Sequence, residues 1–120
     1  MEKKDMKNKS TKLAAVVLSL HSPKEKIWGM LLNINQSGIW VHGIDINSFD
    51  DWSRQVAYQK EPNMGLSTMF FPMIRVEKLI KDDDVGVIKS FSSQFCERAG
   101  YEVQQIIKIH KLLNIPFVKL

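Results

Sequence analysis

Two glycines stand inside two consecutive apolar runs, and they limit what this chain can fold into. The runs are Lys26 to Ile34, which contains Gly29, and Ile39 to Ile46, which contains Gly43. Their length and apolar character are typical of strands, and a glycine inside a strand marks a sharp bend or a close backbone approach. A flat sheet gains nothing from such residues, so the pair predicts a small, strongly bent antiparallel sheet.

Three further runs complete a predicted set of five strands. Leu13 to Leu20 is apolar at nearly every position, which favours a strand that is buried on both faces. Leu66 to Phe71 and Met73 to Lys81 follow later in the chain, and Pro72 separates them. The last run alternates between apolar and charged side chains, which predicts a dry face formed by Ile74, Val76 and Ile80.

A helix is predicted between the third and fourth strands. Ser48 is followed three residues later by Asp51, which resembles a capping box at a helix start. Phe49, Trp52 and Val56 recur at helical spacing, so we expect this helix to pack these side chains against the sheet.

The C-terminal part of the chain, about residues 90–120, is predicted to be helical. The stretches "SFSSQFCERAG" and "YEVQQIIKIHKLLN" are separated by Gly100, and Pro116 stops the second. Their order of apolar, small and glycine residues is also typical of a helix-turn-helix. In that interpretation a DNA groove would be met by Gln104, Gln105, Lys108 and Lys111.

These patterns predict a mainly β fold with α additions (α+β). We expect a small five-stranded antiparallel β-barrel, a helix inserted between strands 3 and 4, and C-terminal helices. With 120 residues, 44% of them hydrophobic, the chain can bury a core, and residues 13–120 are expected to form one domain.

The net charge of +4 is concentrated at the start of the chain. Five lysines against Glu2 and Asp5 leave +3 on residues 1–12, and therefore only +1 on the remainder. We expect residues 1–12 to be a disordered basic tail. Such a tail suits contact with RNA, DNA or another anionic surface, or it serves solubility alone.

No catalytic or metal-binding constellation is evident. His21, His42 and His110 fall in separate predicted elements, and the one cysteine, Cys96, excludes an internal disulfide and fits a reducing cytoplasm. No apolar run approaches the roughly 18 residues that a membrane-spanning helix needs. We therefore expect a cytoplasmic protein with no enzymatic activity, no cofactor, no small-molecule substrate and no membrane contact.

Two groups of residues keep a structural and a functional interpretation at this stage. The aromatic side chains of Trp28, Trp40, Phe70 and Phe71 suit either base stacking or cross-strand packing in the core. The acidic run Asp82 to Asp84 suits either attraction of a divalent cation or a solvated turn after the last strand, and we expect the turn because the spacing of an EF-hand loop is absent.

The stretch "WGMLLNINQSGIWV" resembles the first motif of the Sm and bacterial Hfq family. Gly29, Leu31 and Ile34 fall in register with that motif, while Asn35 stands where aspartate is usual. "FFPMIRVEKL" is similar to the crossing between the last two strands of the family. The resemblance covers roughly Leu13 to Ile80. Two features depart from it, since the helix follows the third strand and the basic RNA-facing motif is not recognisable.

The resemblance implies a bacterial small-barrel protein that forms homo-oligomers through its strand edges and binds RNA. By position, the RNA-binding candidates are Asn35, Gln36, Ser37 and Arg75, and the tail adds Lys3, Lys4, Lys7 and Lys9. The alternative for Asn35 to Gly38 is a plain hairpin turn in which Gly38 takes a positive φ. A protein-interaction adaptor and a DNA-binding regulator remain alternatives to the Sm-like assembly module.

Overall fold

The computed structural model describes residues 13–106, and these form an antiparallel sheet with helices on one of its faces. The sheet contains five strands in the order β4-β3-β2-β1-β5. Their bounds are β1 Ala15–Leu20, β2 Glu25–Ile34, β3 Gly38–Asp45, β4 Ser67–Pro72 and β5 Val76–Lys81. The prediction of a mixed α+β fold with five antiparallel strands is confirmed.

Two helices lie where the sequence predicts them. A short 3-10 turn, Ile46–Ser48, leads into α1, Phe49–Tyr58, between β3 and β4, and α2 spans Phe91–Ala99. A second 3-10 turn, Met73–Arg75, joins β4 to β5, and residues 104–106 are again helical. None of the described helices is long and apolar enough to cross a membrane. The predictions for residues 1–12 and 107–120 lie outside the described residues.

Gly29 and Gly43 are paired directly across β2 and β3. A Cβ atom on Gly43 would lie 2.2 Å from the carbonyl oxygen of Trp28, and one on Gly29 would lie 2.5 Å from the Cα atom of Gly43. Only glycine permits this separation, so the predicted close backbone approach is confirmed.

The inner face of the sheet carries its own apolar core. The buried members come from β1 to β4, and they are Val16, Leu18, Leu20, Ile27, Ile39, Val41 and Phe71. Val76 and Leu79 of β5 pack against the same cluster. Since residues of both edge strands meet in one cluster that contains no residue of α1 or α2, the sheet curls around it. No ladder joins β4 to β5 within residues 13–106, so hydrogen bonds do not close the sheet there.

The outer face is covered by the helices. Trp28 and Met30 of β2 are buried there against Phe49, Trp52 and Phe95, together with Val103. The rings of Trp52 and Phe95 stack with centroids 5.0 Å apart, and Trp28 meets Phe49 edge to face, also at 5.0 Å. The predicted packing of α1 on the sheet is confirmed, and Val56 joins the rim of this cluster.

The predicted capping box at Ser48 is wrong. Ser48 makes no side-chain cap hydrogen bond, because the preceding 3-10 turn already places its backbone in the helical region rather than the extended one that a cap requires. The cap lies three residues earlier, where the side chain of Asp45 accepts a hydrogen bond from the backbone N–H of Asn47 at 2.8 Å.

The predicted dry face of the last strand is right for Val76 but wrong for Ile74 and Ile80. Ile74 is 82% exposed and Ile80 is 48% exposed, whereas the inward positions are Val76 and Leu79. Ile74 belongs to the 3-10 turn rather than to the strand. A register shift opposite Ser19 and Leu20 then inserts one extra residue in β5 and breaks the alternation.

We predict that Gly43→Ala lowers the free energy of unfolding by about 2 kcal/mol or more, because the new methyl group overlaps the Trp28 carbonyl. The control is Gly65→Ala, since a Cβ atom at Gly65 meets nothing within 4 Å. Urea denaturation followed by tryptophan fluorescence measures both. Equal stability of the two variants would contradict the account of the glycine pair.

Candidate functional site

The loop between β2 and β3 is a side-chain-stabilised turn. The Oδ1 atom of Asn35 accepts hydrogen bonds from the backbone N–H of Ser37 at 2.8 Å and of Gly38 at 3.3 Å. The Asn35 N–H in turn donates to the Gly38 carbonyl at 3.0 Å. The Asn35 side chain therefore serves the turn, while Gln36 and Ser37 are exposed to solvent.

Gly38 is required in this turn, but not for the predicted reason. The described residues with positive φ are Ser22, Gly86 and Gly100, so Gly38 is not left-handed. A Cβ atom on Gly38 would instead lie 2.2 Å from the carbonyl oxygen of Phe71 and 2.7 Å from the ring of Phe70. The glycine thus allows β4 to approach the start of β3.

Arg75 is held at the turn between β1 and β2 and not at the Asn35 loop. Its Nη2 atom donates to the Pro23 carbonyl at 2.7 Å and to Glu25 Oε1 at 2.9 Å, and Nε donates to the His21 carbonyl at 3.2 Å. The guanidinium also lies 5.9 Å from the ring centre of Phe71. These contacts give Arg75 a structural role that its sequence position did not reveal.

The 3-10 turn between β4 and β5 connects the two loops. Met73 N–H donates to the Ser37 carbonyl at 2.9 Å, and His21 N–H donates to the Arg75 carbonyl at 2.9 Å. Ile74 lies between these two anchors, and its side chain is among the most exposed apolar groups of the described residues. The turn is therefore fixed at both ends while its centre presents an apolar side chain to solvent.

Of the four aromatic candidates for base stacking, two belong to the cores and two form a surface pair. Trp28 and Phe71 are buried. Trp40 and Phe70 pack at 5.1 Å between centroids, and Phe70 is 37% exposed beside Gly38. The indole N–H of Trp40 is buried without an acceptor among the described residues. An exposed ring beside a polar turn has the chemistry to stack on a base.

Asp82 is not a solvated residue but a bridge between the sheet and α2. Its Oδ2 atom accepts hydrogen bonds from the Trp28 indole N–H at 2.9 Å and from the backbone N–H and hydroxyl of Ser92 at 2.8 Å each. Its Oδ1 atom accepts from the backbone N–H of Phe91 at 3.0 Å. The first backbone N–H groups of a helix have no acceptor within the helix, and a carboxylate that accepts hydrogen bonds from them stabilises that end. Asp82 therefore stabilises the N-terminus of α2.

Two more carboxylates hold the helices. Asp84 accepts hydrogen bonds from the backbone N–H of Ser90 at 2.8 Å and from the Ser93 hydroxyl, and the bond from Ser90 lowers the pKa of Asp84. Asp50 on α1 pairs with Arg98 on α2 at 2.9 Å, and this hydrogen bond lowers the pKa of Asp50. Asp50, Asp82 and Asp84 therefore have structural partners.

The described part of the predicted helix-turn-helix, up to residue 106, packs against the rest of the domain. Gly100 ends α2 in the left-handed region, as the sequence predicts, and Phe95 meets Tyr101 edge to face at 5.5 Å. Gln104 donates from Nε2 to the Leu13 carbonyl at 3.1 Å, so this side chain is used inside the domain. Gln105 is exposed, and Lys108 and Lys111 lie outside the described residues.

Within residues 13–106, no three His, Cys, Asp or Glu side chains are grouped so that they could hold a metal ion. His42 is buried on β3 beside Thr68, at 2.9 Å between Nδ1 and the hydroxyl, whereas His21 is exposed next to Ser22. The two described histidines therefore remain separate, and His110 lies outside the described part of the chain.

No protein-family model, no curated protein and no solved structure matches this chain. The resemblance to Sm and Hfq proteins therefore stays a prediction. What the structure adds is a set of exposed features: the Gln36–Ser37 turn with Phe70 beside it, the outer edges of β4 and β5, and an apolar hairpin tip at Val85–Ile88.

We predict that Asp82→Asn lowers the free energy of unfolding by about 2 kcal/mol, since an amide replaces the charged acceptor of several hydrogen bonds. Asp83→Asn is the matched control, because Asp83 is the exposed neighbour with the same charge. Urea denaturation of both variants, read from tryptophan fluorescence, is the measurement. A similar loss of stability in both would show that net charge, and not the bridge to Trp28, is responsible.

Proposed function

We propose that this protein is a non-enzymatic assembly module, built on a small Sm-like barrel, that associates with copies of itself through the outer edges of β4 and β5. The observation that carries the proposal is the sheet order, which leaves these two strands at the ends of the sheet. An edge strand presents unpaired N–H and C=O groups to any other chain that can continue the sheet.

The two edges are suited to each other in length. Each of β4 and β5 contains six residues. Pro72 ends β4, and the register shift in β5 lies near its start, so pairing is limited to the remaining part of each strand. Two different edges form a heterologous interface, which closes into a ring or extends into a filament.

Apolar side chains beside the edges would add buried area to such a contact. Ile80 on β5 is 48% exposed, Phe70 on β4 is 37% exposed and Ile74 between the strands is 82% exposed. Burial of apolar surface contributes about 25 cal/mol per Å², so these three side chains favour association beyond the hydrogen bonds of the strands.

RNA is the partner that we propose for the assembled module. The exposed turn residues Gln36 and Ser37 directly precede Gly38, which lies against the Phe70 ring, so this end of the sheet combines hydrogen-bonding groups with a stacking surface. Lys3, Lys4, Lys7 and Lys9 supply positive charge for the phosphate backbone. Asn35 and Arg75 have a smaller part in this proposal than the sequence indicates, because both side chains hold turns together.

A protein-interaction adaptor is the second candidate, and one observation favours it. After β5 the chain forms a small hairpin whose apolar side chains face solvent: Val85 is 67% exposed, Val87 97% and Ile88 69%. Apolar side chains clustered at one tip are typical of a surface that binds another protein. A monomeric chain without nucleic acid would favour this alternative.

We predict that the purified protein has a solution mass of several subunits and that Ile80→Lys shifts it toward the monomer, because a charge at the edge opposes strand pairing. Light scattering on a sizing column measures the mass, and the 260 to 280 nm absorbance ratio of the same peak reports bound nucleic acid. Tyr58→Lys on α1 is the control, since Tyr58 is 74% exposed and belongs to neither edge strand.

A monomeric mass for the unmodified chain over a wide range of concentrations would contradict the proposal. An equal shift in the Tyr58→Lys variant would mean that added charge, rather than the β5 edge, governs association. An oligomer with a protein-like absorbance ratio would retain the assembly function and remove RNA as the copurified partner.

A further inference from the structure

A groove of about 510 Å³ lies where the start of β1, the turn after β5 and the C-terminal helices meet. Leu13, Ala14 and Ala15 form one wall. The other walls are formed by Lys81 to Asp83, by Ser92, Ser93 and Cys96 of α2, and by Glu102 to Gln104. The proposed assembly function makes no use of this groove.

The groove is acidic and the segment that leads into it is basic. Among the described residues, Asp82, Asp83 and Glu102 line it together with a single cationic side chain, Lys81. Residues 13–106 contain nine Lys and Arg against eleven Asp and Glu, a net charge of −2, whereas residues 1–12 carry +3. The electrostatic attraction between the two parts of the chain favours their contact and is weakened by salt.

The point where the chain enters the described domain fixes the start of that segment at the groove. Leu13 is itself a groove residue, and its carbonyl accepts a hydrogen bond from Gln104 on the facing wall at 3.1 Å. Residues 1–12 therefore begin at the rim. A segment tethered so close has an effective concentration of the order of millimolar, so a weak interaction is enough to fill the groove.

We propose that the basic segment of residues 1–12 docks in this acidic groove of its own domain. Docking places the segment's lysines beside Asp83 and covers the wall of α2 that carries Cys96. A polyanion such as RNA then competes with the groove for the same lysines. The docking itself is independent of self-association through β4 and β5.

Cys96 provides a direct probe, because it is the single cysteine of the chain, is exposed and lines the groove. The rate of its reaction with N-ethylmaleimide, an uncharged reagent, is measured on the full chain at low ionic strength. The test variant replaces the five lysines of the segment with glutamine. We expect it to react about fivefold faster, since a segment docked for about 80% of the time shields the thiol to that extent.

Salt provides a second readout. At about 0.5 M NaCl, where the Debye length falls to a few Å, the full chain should react at the rate of the lysine-free variant. Equal rates for the two proteins at low salt would overturn the proposal, and so would protection of Cys96 that persists unchanged at high salt.

A pair of acidic variants shows whether the groove is the docking surface. Asp83→Asn in the groove should raise the reaction rate toward that of the lysine-free variant, while Asp51→Asn on α1 removes the same charge elsewhere and should leave it unchanged. Asp83→Asn also removes a negative charge from the groove that Cys96 lines, whether or not the segment docks. Asp83→Asn is therefore repeated in the lysine-free protein, where docking predicts little further acceleration.

Other occupants give different results and would overturn the proposal. If substitution of Lys108, Lys111 and Lys119 by glutamine exposes Cys96 instead, the C-terminal segment fills the groove. If protection increases with protein concentration, the occupant is the basic segment of a second copy.

Discussion

The contact between Gly29 and Gly43 is the constraint on which the rest of the structure depends. The backbones of β2 and β3 approach so closely at this pair that a Cβ atom on either residue would overlap the other strand. Trp28 and Met30, which flank Gly29 in β2, face the helix-covered core on the outer face of the sheet. Ile27 of the same strand faces the inner core. One sheet therefore carries two separate cores, one on each face.

The second core is completed by Asp82, which holds the helical layer to the sheet. Its carboxylate joins the indole of Trp28 to the first turn of α2, so the position of α2 follows from a residue at the end of β5. The same turn of chain leads to the exposed Val85–Ile88 hairpin and borders the acidic groove. The short segment after β5 thus contains the residue that holds α2 to the sheet, an exposed apolar hairpin and one wall of the groove.

Local pattern was sufficient to predict the strands, the inserted helix and the glycine contact, because each depends on neighbouring residues. The bridge from Asp82 to Trp28 spans 54 positions, and no local signal marks it. Arg75 was predicted as an RNA contact only from its position in the family resemblance. The residues that it contacts lie on a turn more than fifty positions away, which the local sequence does not indicate. The exposure of Ile74 depends on a 3-10 turn and a register shift that alternation cannot reveal.

The central claim is that the outer edges of β4 and β5 meet in the assembled protein. Amide hydrogen exchange, followed by mass spectrometry over a range of protein concentrations, tests it most directly because it reports each strand separately. The account predicts that peptides covering Ser67–Pro72 and Val76–Lys81 gain protection together as concentration rises, while residues 59–65 do not. Exchange in both strands that is independent of concentration, or new protection only at Val85–Ile88, would contradict it.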